Sequence, residues 1–146
     1  MTGPAPLVVD TSVAIKWYVP EPGAHRALEL LSSDNHLIAP DLLVCEFGNV
    51  LWNKVRRGEL TSTEATDIAR ALVTACPVTL RASLACSVAA LDIALHLGRS
   101  VYDALYISLA VAEGGIYVTA DERLVNALIA SDLAPYVRSL GSERSQ

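Results

Sequence analysis

Apolar residues fall in short runs separated by polar punctuation, and the period of the runs changes along the chain. Leu7-Val8-Val9 reads as a short buried strand ending in Asp10-Thr11-Ser12, three residues suited to opening a helix. Residues 13–19 predict a short helix stopped by Pro20-Glu21-Pro22-Gly23, and residues 24–31 a second helix. His36-Leu37-Ile38-Ala39 predicts another strand closed by Pro40, after which Asp41 caps a long helix to about Arg57, terminated by Gly58. Thr61-Ser62-Thr63-Glu64 has the form of a capping box for a helix to about Ala75. Pro77 restarts the chain into Val78-Thr79-Leu80. Leu84, Val88, Leu91 and Leu95 then recur at helical spacing up to Gly98. Ser100-Val101-Tyr102-Asp103 opens a further helix to Gly114-Gly115. A strand at 116–119, a short helix at 121–129 and a last strand at 136–139 complete the series. Strands alternating with helices predict an α/β fold with a mostly parallel sheet covered on both faces. In such folds functional groups gather at the carboxyl ends of the strands.

Composition narrows this. At 146 residues, 52% apolar and 18% charged, the chain is the size of one compact domain and too apolar for a disordered tail or a coiled coil. No repeat, low-complexity block or shift of composition divides it, so residues 1–146 read as a single domain. Cys45, Cys76 and Cys86 form no Cys-x-x-Cys pair, and their placement in apolar segments predicts reduced, buried thiols in a cytoplasmic protein. The first six residues carry no positive side chain and lead into only a short apolar run, unlike a signal peptide. No apolar stretch reaches the ~20 residues of a membrane helix, Arg81 and Asp92 interrupting the longest, so no membrane association is expected. The net charge of −5, from 16 acids and 11 bases, argues against a grip on nucleic acid by bulk positive charge. The exception is a set of acids converging on metal ions, which would invert the local sign.

The acids therefore carry the chemistry. Asp10 directly follows the first strand, where it can cap a helix and still offer lone pairs to a metal. Glu46, Asn49 and Asn53 share a helical stripe with Leu42 on a helix that is apolar nearly all round until Lys54. A carboxylate among such neighbours is costly to bury unpaired, so this stripe is directed at something charged, or else it is a solvated face. Asp103 fits a capping box with Ser100, yet its helix has so few polar positions that its early acid is expected to face an internal cleft. Asp121 lies just past the strand at 116–119, with Glu122 expected to do the capping and to face solvent. Carboxylates gathered together raise one another's pKa values unless cations intervene, and hard oxygen ligands select Mg²⁺ or Mn²⁺ over zinc.

These stretches resemble the PIN-domain ribonucleases, and among them the VapC toxins of bacterial toxin–antitoxin pairs. The resemblance runs through Val9-Asp10-Thr11-Ser12-Val13 with Lys16-Trp17, Ala39-Pro40-Asp41-Leu42 leading to Glu46 and Asn49-Val50-Leu51, Tyr102-Asp103-Ala104-Leu105-Tyr106, and Val118-Thr119-Ala120-Asp121-Glu122-Arg123-Leu124. It covers almost the whole chain. It implies a three-layer α/β/α sandwich around a five-stranded sheet, with Asp10, Glu46, Asp103 and Asp121 as the acidic pocket, and Ser12 and Thr119 as small polar groups beside it. By the same resemblance the chain cleaves RNA endonucleolytically with Mg²⁺ or Mn²⁺, works as a homodimer and is held inactive by a cognate antitoxin.

On this reading Asp10 and Asp103 hold the principal ion, with Glu46 and Asp121 completing or widening the site. Lys16, Arg99 and the Lys54-Arg56-Arg57 cluster are the candidate contacts to the RNA backbone, the cluster being equally readable as a solvated helix end. His25, His36 and His96 fall in different elements, away from these acids, which disfavours metal-free cleavage by paired histidines. Two other classes stay open. A phosphoacceptor receiver domain would need paired acids after its first strand and a late lysine, where this chain has Asp10 alone and lysines only at 16 and 54. An inactive interaction module of the same fold is the other, against which the intact set of acids argues.

Overall fold

The computed structural model describes residues 3–32 and 34–142. Its centre is a five-stranded sheet in the order β3-β2-β1-β4-β5, formed by β1 (Leu7–Val9), β2 (Leu37–Pro40), β3 (Thr79–Arg81), β4 (Ile116–Thr119) and β5 (Val137–Ser139). Every pairing is parallel, with Val8 opposite Ile38 on one side and Tyr117 on the other. The three inner strands β2, β1 and β4 are almost wholly buried, which is why their sequences are continuous apolar runs with no alternation. The connecting helices are α1 (Thr11–Ala14), extended by a 3₁₀ turn at Ile15–Trp17, α2 (Ala24–Ser32), α3 (Leu42–Arg56), α4 (Ser62–Thr74), α5 (Ser87–Leu97), α6 (Val101–Glu113) and α7 (Glu122–Ile129). The core joins Val8, Val9, Ile38 and Val118 of the sheet to Leu43 and Phe47 of α3, Ile107 of α6 and Leu128 of α7.

Local chemistry explains most element ends. Thr61 and Glu64 form the reciprocal capping box of α4, and Gly98 and Gly114 take left-handed conformations that end α5 and α6. Ala104 to Ala110 are all buried, as the scarcity of polar positions in α6 predicts. Because β1 sits centrally, with β2 and β3 laid down on one side and β4 and β5 on the other, the strand order reverses between β1 and β4. The crevice beyond their carboxyl ends is the natural place for a ligand in such a sheet.

Several expectations are corrected. Pro40 is the last residue of β2, not its terminator; it lacks an N–H, and the amide of Asp41 supplies the next bond instead, to the Arg81 carbonyl at 2.8 Å. Asp41 does not cap α3 through its side chain, since its carboxylate accepts bonds from the backbone N–H (3.2 Å) and hydroxyl (2.5 Å) of Ser83. The third strand lies one residue later than predicted. Only Cys86 is buried; Cys45 and Cys76 are exposed. The apolar stripe of Leu84, Val88, Leu91 and Leu95 has the expected period but faces outward, at 85%, 81%, 50% and 75% exposure. The buried face of α5 consists of Ala90 and Ala94, whose small side chains let it lie close against α6. Among the described residues no single helix is long and apolar enough to cross a membrane; only Ser83–Leu97 and Val101–Glu113 together would, and they are bent by 116°.

Leu43 is fully buried beneath the sheet. Leu43→Ala should cost about 2–5 kcal/mol of unfolding free energy, against about 1 kcal/mol for Thr61→Ala at the α4 cap, both read from urea denaturation midpoints.

Candidate active site

Asp10 leaves β1 as the N-cap of α1, and its carboxylate is the most heavily bonded group in the crevice. Oδ1 accepts from the Ser12 amide (3.0 Å), the Ser12 hydroxyl (2.5 Å) and the Val13 amide (3.3 Å). Oδ2 accepts from the hydroxyls of Tyr117 (2.5 Å) and Thr119 (2.6 Å). The capping role read from the sequence is thus observed. Ser12 in turn accepts from the Ala120 amide at 3.0 Å, tying α1 to the end of β4.

The other acids arrive from three separate helices. Glu46 on α3 is half-buried and accepts from the Tyr106 hydroxyl at 2.6 Å. Burial pushes its pKa up and the negative charges of Asp10 and Asp103 add to this, the Tyr106 bond offsetting part. Asp103 stands in the first turn of α6, where its amide donates to the Ser100 hydroxyl at 3.2 Å. Its carboxylate faces Arg99, with Oδ2 3.6 Å from Nε. Burial raises its pKa as well, Asp121 and Asp10 reinforcing the shift and Arg99 opposing it. Asp121 caps α7, accepting from the Leu124 amide at 3.2 Å, and lies 3.7 Å from Arg99 Nη2. The expectation for Glu122 holds in part: it is exposed, but Asp121 does the capping while Glu122 accepts a hydrogen bond from Ser139.

The fold thus brings Asp10 and Asp103 near enough to Glu46, and Asp10 and Asp121 near enough to Asp103, to push those two carboxyls up. Among the described residues no three His, Cys, Asp or Glu side chains already stand in an arrangement that would hold a metal ion. Asp10 is engaged by five hydrogen bonds from the protein, and the Arg99 guanidinium lies within 3.7 Å of both Asp103 and Asp121. The donor set itself fits a hard dication, being all carboxylate oxygen, with two members whose pKa values are raised by burial and by neighbouring carboxylates.

Two residues that the sequence reading passed over support the pocket. Tyr106 and Tyr117 stack at 5.7 Å between ring centroids, 16° from parallel, and each donates its hydroxyl to a different acid. Burial and the neighbouring carboxylates hold both phenols well above their ordinary pKa, so both stay donors. Tyr106 was findable, because a residue three positions after Asp103 shares its helix face.

Two depressions flank the acids and meet at Val50. One, of about 340 Å³, is lined by Ser12, Lys16, Asn53, Lys54, Arg57 and Asp121 among others. The other, of about 370 Å³, is lined by Thr11, Leu42, Cys45, Glu46, Asn49, Val50 and Tyr102. The basic residues separate into distinct environments. Lys54 is buried and bound by Glu21 (2.5 Å) and Glu59 (3.2 Å), so it is committed to an internal ion-pair network and shows little surface to the groove. Lys16 pairs with Glu21 at 3.3 Å, Arg57 is exposed, Arg56 lies 4.6 Å from the ring centroid of Trp52, and Arg99 stays with the acids.

Comparison with known proteins points to one family and fold. A family model for the PIN domain matches residues 7–127. Ribonuclease VapC3 of Pyrobaculum aerophilum is 37% identical over 121 residues, 81% of this chain and 91% of that protein. Among solved structures, PAE2754 from Pyrobaculum aerophilum superposes with a TM-score of 0.67 at 22% identity, covering 93% of this chain and 84% of that one. Mycobacterium tuberculosis VapC20, described as a sarcin-ricin loop cleaving toxin, gives 0.64 at 18% identity over 83% and 94% of the two chains. VapBC2 from Rickettsia felis, solved bound to a DNA fragment from its promoter, gives 0.63 at 12% identity over 91% and 97%.

The raised pKa of Glu46 has a definite sign. The folded state holds this proton above the ordinary carboxylate range, so ionisation at neutral pH opposes folding, and the penalty vanishes as pH falls through the unfolded-state pKa. Glu46→Gln keeps an oxygen for Tyr106 and removes the charge. Its melting temperature without metal should exceed that of the wild type at pH 7, with the difference disappearing below about pH 4, near the unperturbed carboxylate pKa.

Proposed function

The chain belongs to the PIN-domain family, in its VapC branch, and from this we propose that it is a Mg²⁺- or Mn²⁺-dependent endoribonuclease serving as the toxin of a toxin–antitoxin pair. The observation that carries the proposal is the approach of Asp10, Glu46, Asp103 and Asp121 to the reversal point of the sheet, with Glu46 and Asp103 raised in pKa by burial and by carboxylates beside them. Four acids with a single guanidinium among them leave the cluster net negative, which suits a dication.

Asp103, Asp121 and Glu46 would hold the ion, with Asp10 anchoring the pocket and joining the shell by yielding one of its donors or through water. When bound, the ion supplies a water of lowered pKa and neutralises charge on the attacked phosphate and the leaving oxygen. Ser12, Thr119 and Tyr117 fix the orientation of Asp10, and Tyr106 fixes that of Glu46. Lys16 and Arg57 line one depression together with Asp121, where they suit the backbone of a single RNA strand, and Arg99 stands beside Asp121. Asn49 and the 60% exposed Tyr102 line the other. The curated relative's name, Ribonuclease VapC3, and the cleaving activity in the description of VapC20 support the same reading.

The outward stripe of Leu84, Val88, Leu91 and Leu95 supports a homodimer, since a second copy of this face would cover a patch that a monomer leaves in water. The VapBC2 complex supports a cognate antitoxin as the other partner.

Purified chain incubated with total RNA should cut at few sites in Mn²⁺, with new 5′ ends mapped by primer extension, and not at all in EDTA. Asp10→Asn and Asp103→Asn should each lower the rate by at least about 10²-fold while circular dichroism stays unchanged. Cleavage of normal rate by both variants would remove the assignment. Replacing Leu84 and Val88 together by Asp should shift the sedimentation coefficient from dimer to monomer without unfolding the chain.

A further inference from the structure

Arg99 is the middle residue of a three-residue link between α5 and α6, pinned by the left-handed Gly98 before it and the capping residue Ser100 after it. Its guanidinium reaches between Asp103, 3.6 Å from Nε, and Asp121, 3.7 Å from Nη2. Both separations exceed hydrogen-bond length, and among the described residues the buried Nε has no hydrogen-bond partner. This chain builds a different geometry for a permanent pair: Arg81 grips Glu113 with two bonds of 2.9 and 3.1 Å. Arg99 is therefore held at the acids by charge and not by directed bonds. A buried donor left without an acceptor makes that position costly to keep.

We propose that Arg99 is an internal counter-cation of the acidic pocket, filling the gap between Asp103 and Asp121 until a divalent ion takes its place and drives it out toward the groove. The inference rests on the reading that these acids bind the ion, and it adds that the chain carries its own competitor for the site. The loose fit is what allows the exchange. A fork like that of Arg81 would close the site, and no cation at all would leave two carboxylates facing each other in a half-buried pocket. Ion binding and release of the arginine become one event, which offers the guanidinium to a substrate phosphate only once the ion is in place.

The test uses the ion alone. Mn²⁺ titrated into the RNA-free chain by calorimetry should bind about tenfold more tightly to Arg99→Gln than to the wild type, the scale of removing one like charge beside an ion site, whereas Arg99→Lys, which keeps the charge, should stay near the wild-type value. A second measurement uses the wild type and survives failure of the variant to fold. The Arg99 Nε–H, followed by nitrogen-15 NMR and assigned with Arg99→Lys, should exchange with solvent faster at saturating Mg²⁺. Unchanged or weaker Mn²⁺ affinity in a folded Arg99→Gln, or unchanged exchange at saturating Mg²⁺, would overturn the counter-cation role while leaving the metal site standing. Absence of Mn²⁺ binding by the wild type, with Asp103→Asn indistinguishable from it, would overturn both.

Discussion

The carboxylate of Asp10 is the joint on which the crevice depends. Its two oxygens take hydrogen bonds from the start of α1 and from β4, so one side chain fixes the first helix against the strand lying on the far side of the chain reversal. Those donors are spread over more than a hundred residues of sequence, and they converge because β1 and β4 are adjacent parallel strands in register from Leu7 with Ile116 to Val9 with Val118. Thr119 is fully buried at the last position of β4, and Ser12 links back to the amide that follows it. The remaining acids are then brought in by packing: α3 against the sheet delivers Glu46, and the buried α6 delivers Asp103.

This arrangement sets a tension that the rest of the molecule manages. Asp10 is satisfied by neutral donors, whereas Glu46 and Asp103 are only partly relieved, one by a tyrosine hydroxyl and the other by a loosely placed guanidinium. Their raised pKa values mean that the unliganded fold gives up stability at neutral pH to keep ionised carboxylates together. On the proposed reading a hard dication would offset that cost, and affinity for the ion and strain in its absence would share one origin. The Lys54 network, by contrast, is fully paired and holds α3 to the chain after α1, shaping one wall of the groove without acting in it.

Much of this was legible in the residues. The continuous apolar runs of β1, β2 and β4 report strands buried on both faces, and the near absence of polar residues in α6 reports its central position. Asp10 and Asp121 were readable as helix-opening acids because each lies just past a strand run. The phase of α5 was not. Its leucines have a helix's period, but a period does not say which side faces inward, and the alanines of the other face pack more closely on α6 than leucines would. The commitment of Lys54 was hidden as well, since Glu21 lies in a proline-rich loop more than thirty residues away. The Tyr117 bond to Asp10 depends on cross-strand register, which no local motif encodes.

The central claim is that four carboxylates from separate elements form one dication site. Crystals of the chain soaked in Mn²⁺ and measured near the manganese absorption edge test it directly. The account predicts an anomalous peak bounded by Asp10, Glu46, Asp103 and Asp121, with the Arg99 side chain turned out from between the last two. A peak elsewhere, or none with those carboxylates unmoved at saturating metal, would contradict it.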